Sequence, residues 1–256
     1  MNNYSSGCEK YTGCRGTEDK MRLDKFLSES TSLTRKEIKK LIKDGAVSVN
    51  GSVVKAPETK VSESDGIMLC GEAVSYKKHV YLVLNKPAGY VSATEDRRYK
   101  CVTELVPERY AHYGVFPVGR LDIDTEGLLI LTNDGTFAHN VTSPKKDVKK
   151  RYFARLDRPA KQEDKAVFAA GMEFKDFIAK PAVLEITDDP CEVYAEISEG
   201  KYHQVKRMFE RVGKTVLYLK RVSVGGLSLP EGSIPGDIYE ADGKELEKTI
   251  NICGKL

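Results

Sequence analysis

The apolar run Leu128-Leu129-Ile130-Leu131 constrains the fold of this 256-residue chain more than any other segment. It lies between Gly127 and the turn residues at 132–135, and a short apolar run between turn residues is typical of a buried strand. Asp122 and Asp124 stand just before it, so we expect both on a loop that enters a core strand. Loops on a rigid scaffold often carry catalytic groups. From the pattern alone the two carboxylates are equal candidates, and a surface turn with a charge pair is the alternative.

The composition predicts a soluble globular protein, with 40% apolar and 31% charged residues. Its apolar runs are far shorter than the roughly 20 residues that span a bilayer. The Gly, Ser, Thr and charged residues of segment 1–20 predict a disordered tail. The 6 cysteines and 4 histidines show neither a C-x-x-C pair nor zinc-ligand spacing. We therefore expect free thiols in a reducing cytoplasm and no metal. We also expect a monomer, since nothing in the sequence suggests a coiled-coil or repeat interface.

Segment 21–70 predicts a small unit of two helices and a hairpin. Apolar residues recur at helical spacing in segment 21–30. Thr34 stands three residues before Glu37, which is the spacing of a capping box, and Gly45 is a natural end for the second helix. Asn50-Gly51 separates two alternating runs, which is a strong hairpin signal.

The second of these helices is strongly basic. Five cations occupy it, against Glu37 and Asp44 as acids. A solvated helix face and a phosphate-binding face explain the pattern equally well, although the net charge of the whole chain is only +3. Phosphate binding would weaken steeply with salt. The cations are Arg35, Lys36, Lys39, Lys40 and Lys43.

Segment 71–79 predicts a linker, and segment 80–250 a larger domain. Strands dominate this domain and do not alternate regularly with helices, which favours an α+β fold with a mostly antiparallel sheet. Neither G-x-G-x-x-G nor G-x-x-x-x-G-K-[ST] occurs, so no nucleotide cofactor is indicated. We expect strands at 80–84, 152–156, 191–197 and 215–224, a turn at 85–89, and helices at 161–171 and 203–212.

Two further segments of this domain have polar side chains suited to RNA. In segment 145–151, five cations precede Tyr152; a basic loop beside a core tyrosine is the alternative to a phosphate-binding loop with a stacking platform. In segment 198–208, Gly200 leads into a helix start, where donor groups favour anions. That helix start has His203, Gln204, Lys206 and Arg207.

Two resemblances follow from these motifs. RLDKFLSESTSLTRKEIKKLIKDGAVSVNGSVVKAP is similar to an S4 domain, a small RNA-binding module. KPAG, GRLDIDTEGLLILTNDG, KKRYFARL and EGKYHQVKRMF, in that order, resemble the RsuA/Rlu family of bacterial ribosomal RNA pseudouridine synthases, from about residue 22 to residue 240. The resemblance implies a pseudouridine-synthase fold and isomerisation of a uridine without metal or cofactor. The form YHQVKR resembles the small-subunit branch, so 16S ribosomal RNA or an assembling small subunit is the expected partner.

The resemblance also implies site residues. The family's essential aspartate corresponds to Asp122, its active-site tyrosine to Tyr152, and the basic partner of the aspartate to Lys206. Many relatives have arginine there, so whether Lys206 or Arg207 faces Asp122 stays open. We further expect RNA contacts from Arg22, Arg35, Lys36, Lys39, Lys40, Lys43, Lys86, Arg120, Lys149, Lys150, Arg151, His203, Gln204 and Arg207.

Three alternatives remain at this point. The first is a 23S ribosomal RNA pseudouridine synthase of the same family. The second is a non-catalytic RNA-binding assembly factor that keeps the fold. The third is an aspartate-based nucleosidase, which needs a second carboxylate as general acid. Asp124 and Glu126 are the candidates for that acid.

Overall fold

The computed structural model describes residues 20–250. The tail predicted for segment 1–20 lies outside the described residues, apart from Lys20. The chain divides into two compact units after Lys77, and each unit is described by itself. No helix in the described part of the chain is both long and apolar enough to cross a membrane.

The small unit packs two helices against short antiparallel strands. The strands form one pair, β1–β4, and one sheet in the order β3-β2-β5-β6. Its elements are β1 (Met21–Arg22), α1 (Leu23–Ser30), α2 (Arg35–Lys43), β2 (Val47–Val49), β3 (Ser52–Val53), β4 (Lys60–Val61), β5 (Ile67–Leu69) and β6 (Glu72–Val74).

Local signals in the sequence account for this unit. The capping box is confirmed, since the Thr34 amide donates to Glu37 Oε2 at 2.8 Å and the Glu37 amide donates to Thr34 Oγ1 at 3.4 Å. The hairpin is confirmed as well, with Val49 opposite Ser52 around Asn50-Gly51. The apolar stripes of α1 and α2 meet in one core. The linker prediction for 71–79 is wrong in its first half, because β6 pairs with β5.

The larger unit is built on one mixed sheet in the order β15-β16-β12-β17-β11-β7-β19. Its long neighbouring strands pair antiparallel, except that β11 and β17 are parallel. The predicted α+β class with a mostly antiparallel mixed sheet is therefore confirmed. Its elements are β7 (Tyr81–Lys86), β8 (Tyr90–Val91), β9 (Lys100–Cys101), β10 (Phe116–Pro117), β11 (Glu126–Thr132), α3 (Gly135–Thr142), β12 (Lys150–Leu156), α4 (Gln162–Ala170), β13 (Met172–Glu173), β14 (Ile178–Ala179), β15 (Val183–Ile186), β16 (Glu192–Ile197), α5 (Gln204–Arg211), β17 (Val216–Val224), β18 (Leu227–Ser228), β19 (Ile238–Glu240) and α6 (Gly243–Ile250), with 3-10 turns at Val102–Leu105 and Glu108–Tyr113.

The buried face of the central strands positions the site. Side chains alternate along β12, so Lys150, Tyr152 and Ala154 are buried while Arg155 is exposed. Helices α4 and α5 cover this face with apolar residues, Phe168 and Phe209 among them. The site therefore lies on the helix-covered side of the sheet.

Gly127 explains how the parallel pair of strands forms. It lies opposite Arg221 of β17, with a backbone φ of +105° that L side chains rarely adopt. A Cβ atom here would overlap the backbone of Arg221. The glycine thus lets β17 approach the start of β11, directly after the aspartate loop.

Candidate active site

The loop that bears Asp122 is tied to the scaffold by its backbone. Ser92 Oγ accepts a hydrogen bond from the amide of Leu121 and donates one to its carbonyl, both at 3.0 Å. The Gly89 amide donates to the carbonyl of Ile123 at 2.7 Å. These bonds fix the backbone on both sides of Asp122.

Lys86 also holds this loop, through hydrogen bonds to its backbone. Its side chain is fully buried, and Nζ donates to the carbonyls of Pro87, Ile123 and Thr125 at 3.0, 3.3 and 2.9 Å. Burial lowers the pKa of Lys86 to about 8, although Asp124 and Asp122 act in the opposite direction. The predicted RNA contact of Lys86 is wrong, because the strand β7 extends through Lys86 and turns its side chain inward.

Asp122 faces two basic side chains. Lys206 Nζ lies 3.6 Å from its Oδ2, and His203 Nε2 lies 3.7 Å from its Oδ1. The Asp122 side chain is 28% exposed, so one side of the carboxylate stays accessible. The predicted partner Lys206 therefore faces Asp122, at a distance that leaves the carboxylate oxygens free for another contact.

Asp124 holds Lys206 in this position. Lys206 Nζ donates to both oxygens of Asp124, at 2.6 and 2.8 Å. Burial acts to raise the pKa of Asp124, but the hydrogen bond and charge of Lys206 outweigh it, and the pKa is lowered. One ammonium group is thus shared by two carboxylates, anchored on Asp124 and directed at Asp122.

Arg207 is turned away from Asp122. Its guanidinium forms two hydrogen bonds with Asp176, at 3.0 and 2.5 Å. It also lies over the rings of Phe174 and Phe177, 4.8 and 4.7 Å from their centroids. Lys206, and not Arg207, therefore faces Asp122, and the expected RNA contact of Arg207 stays a prediction.

Gln204 is also a structural residue. Its side chain is 3% exposed, and Nε2 donates to Glu199 Oε1 at 3.0 Å while its own Oε1 accepts from the Lys201 amide. These bonds fix the turn that leads into α5. Gln204 also lines the cleft, so its expected RNA contact stays a prediction.

A cleft of about 910 Å³ opens beside Asp122. Tyr152 forms part of its wall and is 7% exposed, so the predicted site residues Asp122, Tyr152 and Lys206 line one cavity. Arg120 and His203 line it too, and Arg120 is exposed. The structure therefore brings together site residues that the motifs predicted in three distant segments of the chain.

The predicted basic loop at 145–151 is divided by strand β12. Lys150 is 7% exposed, and its Nζ donates to the carbonyl of Val148 at 2.7 Å, so it lines the cleft instead of extending into solvent. Arg151 lies on the other face of the sheet, bonded to Glu185 at 2.6 Å and stacked on Tyr194. Neither lies on a loop, so the predicted loop is wrong at these two positions; their RNA contacts stay predictions, as does that of Lys149, which is half-buried beside them.

In the small unit a buried carboxylate engages part of the basic cluster. Asp24 is fully buried and binds Arg22 at 3.0 Å and Arg35 at 3.1 Å, with Lys39 at 3.8 Å. The exposed cations of α2 without such a contact are Lys36, Lys40 and Lys43. These three are the better candidates for RNA phosphates.

Arg221 is a residue of the cleft that sequence reasoning did not predict. It is 4% exposed, lines the cleft, and donates from Nε to the carbonyl of Leu128 at 2.8 Å. The sequence does hint at it: Arg221 stands two residues after Leu219, so the two side chains share a face of the strand. An arginine on the buried face of a strand is unusual.

Comparison with known proteins identifies the family of this chain. The family model of RNA pseudouridylate synthases matches residues 80–211, and the model of the S4 domain matches residues 21–67. The chain belongs to the RNA pseudouridylate synthase family, with an S4 domain ahead of the synthase region. It is a pseudouridine synthase, an isomerase, and the resemblance predicted from its motifs is confirmed.

Relatives span nearly the whole chain. An uncharacterised RNA pseudouridine synthase of Aquifex aeolicus is 43% identical over 90% of this chain and 98% of its own length. Ribosomal small subunit pseudouridine synthase A of Escherichia coli is 36% identical over 90% of this chain and 100% of its own. A crystal structure of a pseudouridylate synthase has a TM-score of 0.63 at 37% identity, covering 90% of this chain and 100% of that one.

Proposed function

We propose that this enzyme converts a uridine of 16S ribosomal RNA to pseudouridine, with Asp122 as nucleophile and without cofactor or metal. The observation that supports this most is the carboxylate of Asp122, accessible in the cleft and set 3.6 Å from the ammonium of Lys206. A carboxylate is a group that can act as a nucleophile, and the neighbouring ammonium of Lys206 holds it in place at the cleft.

The chemistry starts with attack of Asp122 on C1′ of the uridine ribose. A C1′–O bond forms, the C1′–N1 bond breaks, and its electron pair stays on the uracil. The base then rotates within the cleft and C5 attacks C1′, which releases the Asp122 carboxylate. C5 loses its proton and N1 gains one, so the product is an isomer of the substrate.

Access to the uridine requires it to leave the folded RNA. Flipping a base out of a stack costs a few kcal/mol, which contacts in the pocket must offset. Tyr152 offers a ring in the cleft wall for stacking, and stacking is worth roughly 1–3 kcal/mol per base. Exposed cations, Arg120 at the cleft and Lys36, Lys40 and Lys43 in the S4 domain, are suited to flanking phosphates.

The nucleosidase alternative loses Asp124 as its general acid. Asp124 is bonded to Lys206 and its pKa is lowered, so it is ionised at neutral pH. The Glu126 carboxylate accepts a hydrogen bond from the Tyr218 hydroxyl at 2.7 Å. A general acid must be protonated at neutral pH, whereas Asp124 is ionised.

The choice of 16S RNA is supported by the YHQVKR form of the motif and by the names of relatives from Pasteurella multocida and Escherichia coli, both called ribosomal small subunit pseudouridine synthase A. Mapping pseudouridines in both ribosomal RNAs of a strain lacking this gene tests it. We expect one 16S position to revert to uridine. A lost 23S position with an intact 16S set contradicts the proposal.

Catalysis is tested with Asp122→Asn and a matched control. Asp188→Asn makes the same change at an exposed position of the larger unit. We expect Asp122→Asn to bind ribosomal RNA normally and form no pseudouridine, while Asp188→Asn matches the wild type. Pseudouridine formation by Asp122→Asn at the wild-type rate would show that another group is the nucleophile, whereas a wild-type protein that binds ribosomal RNA but forms no pseudouridine would support the assembly factor. Activity after exhaustive dialysis against EDTA tests the absence of a metal. That the protein is a monomer and is located in the cytoplasm stays a prediction.

A further inference from the structure

Two buried cations lie in the cleft away from the carboxylates already described. Lys150 is 7% exposed and Arg221 is 4% exposed, and both line the cleft. Neither forms an ion pair with a carboxylate of the described residues. Each donates one hydrogen bond to a backbone carbonyl, Lys150 to Val148 and Arg221 to Leu128. Buried charge is costly unless it is paired, so this arrangement calls for an anionic ligand.

The position of Arg221 specifies which part of the substrate it meets. On β17 it lies opposite Tyr152 of β12 on one side and opposite Gly127 of β11 on the other. Tyr152 is the wall proposed to stack on the base, and Gly127 closely follows the aspartate loop. The side chain of Arg221 therefore starts between these two features, at the floor of the cleft.

The proposed reaction produces an anion at this place. When the C1′–N1 bond breaks, the electron pair that stays on uracil is delocalised over N1, O2 and O4. A guanidinium presents planar, fixed N–H donors to such a group. The bond from Nε to Leu128 holds the guanidinium in place, while its Nη groups remain for the ligand. Donors preorganised for charge that develops during a reaction are a large contribution to catalysis.

The charges of Lys150 and Arg221 also favour binding of an anion between them. Burial, followed by the charge of Arg221, lowers the pKa of Lys150 to about 8, against smaller opposing effects of Asp147 and Glu199. The two cations thus repel each other in the free enzyme. An anion bound between them relieves that repulsion.

We propose that Arg221, together with Lys150, binds the detached uracil anion and stabilises it as the leaving group. The inference rests on the proposed function, since it requires a detached base. A backbone phosphate is a less suitable occupant, because the flipped base is the part of the nucleotide that enters deepest. Exposed residues at the cleft, Arg120 and Lys201, are better placed for phosphates.

The experiment varies the leaving group. Ribosomal RNA transcribed with uridine or with 5-fluorouridine is mixed with excess enzyme, and loss of the original nucleoside is followed after nuclease digestion. Fluorine withdraws electrons and stabilises the anion, so 5-fluorouracil leaves with less help. For Arg221→Met we expect the single-turnover rate on uridine RNA to fall by about 10²–10³-fold. With 5-fluorouridine RNA we expect a loss about tenfold smaller, and an unchanged Kd for RNA in both cases.

The control variant is Lys220→Met, which removes the same charge from the neighbouring residue of β17. Lys220 lines a separate cavity of about 480 Å³, so we expect wild-type rates on both RNAs. Arg221→Lys and Lys150→Met repeat the test where Arg221→Met misfolds, and both should show the same dependence on the leaving group. Arg221→Lys should retain more activity than Arg221→Met.

Three results overturn the inference. Equal losses on the two RNAs mean that Arg221 only supports the sheet. A weaker Kd with an unchanged rate at saturating RNA means that it binds a phosphate. If instead Asp122→Asn is fully active, the proposed function fails, whatever Arg221 does. An inactive Asp122→Asn beside fully active Arg221 variants refutes this inference alone.

Discussion

Asp24 in the S4 domain and Asp122 in the synthase domain are both carboxylates surrounded by cations, yet their surroundings differ in one respect. Asp24 is fully buried, and Arg22 and Arg35 bind both of its oxygens at 3.0–3.3 Å. Asp122 is 28% exposed, with Lys206 Nζ at 3.6 Å and His203 Nε2 at 3.7 Å from its oxygens. Asp24 is saturated with donors, whereas Asp122 keeps its oxygens for a ligand.

The difference depends on where the cations are anchored. Arg22 and Arg35 have Asp24 as their partner and lie on the same small unit. Lys206 is bonded to Asp124 and only approaches Asp122. A second carboxylate two residues away therefore holds the ammonium back from the nucleophile, so the charge is supplied without blocking the oxygens.

Lys206→Met should cause a large loss, because it removes the cation that lies 3.6 Å from the Asp122 carboxylate. We expect the single-turnover rate to fall by about 10²–10³-fold, the range found when one charge-stabilising group is lost from an active site. Lys206→Arg should recover part of the rate. Rapid-quench measurement of pseudouridine formation checks both variants. A wild-type rate for Lys206→Met would show that the reaction does not need this cation.

Asp24→Asn should act on stability and not on chemistry. Loss of a buried carboxylate bound by half-exposed arginines should cost about 1–3 kcal/mol in the free energy of unfolding of the S4 domain. Thermal denaturation measures this. A variant with unchanged stability would show that the cluster around Asp24 is not structural.

The same carboxylate predicts a pH dependence. Burial acts to raise the pKa of Asp24, but hydrogen bonds from Arg22 and Arg35 outweigh it and lower the pKa to about 2. The lowered pKa contributes stability that is present above the unfolded value of about 3.9 and is lost as pH falls through about 2. The stability difference between wild type and Asp24→Asn should therefore shrink from pH 5 to pH 2. A constant difference across that window contradicts this assignment.

Asp124→Asn should have a smaller effect than Lys206→Met. The amide still accepts a hydrogen bond from Lys206, but the anchor loses its charge and the ammonium is free to close on Asp122. We expect about a tenfold lower rate, or roughly 1.4 kcal/mol, at unchanged RNA affinity. A loss as large as that of Lys206→Met would mean that Asp124 takes part in the chemistry itself.

The smallest effects should come from the exposed lysines of α2. Lys40→Gln removes a cation that has no carboxylate contact within the described residues, unlike Lys39 beside Asp24. If Lys40 binds phosphate, the slope of log K against log salt should fall by about 1 with the chemical rate unchanged. Filter binding of ribosomal RNA at several salt concentrations measures this. An unchanged slope makes Lys40 a solvated residue.

Local structure could be predicted from the sequence because its causes are local. The capping box of Thr34 and Glu37, the Asn50-Gly51 hairpin and the strand at Leu128-Leu131 all follow from neighbouring residues. The extent of β7 and β12 could not be predicted as well, because pairing with distant strands sets it. This is why Lys86 and Lys150 were expected on the surface although both are buried.

The site could be predicted in its members but not in its geometry. Asp122 and Lys206 were nominated by motifs, yet the role of Asp124 depends on a contact between residues 82 positions apart. Arg207 is the next residue after Lys206, but its side chain points away from Asp122 and lies over the rings of Phe174 and Phe177. Such contacts arise from tertiary packing and leave no spacing in the sequence.

The most direct test of the account compares the two carboxylates in one assay. Single-turnover pseudouridine formation is measured at saturating ribosomal RNA for Asp122→Asn and Asp24→Asn, at a temperature where both variants are folded. We predict no detectable product with Asp122→Asn and a wild-type rate with Asp24→Asn. Product from Asp122→Asn at a rate equal to that of Asp24→Asn would contradict the claim that an unsaturated carboxylate at position 122 performs the reaction.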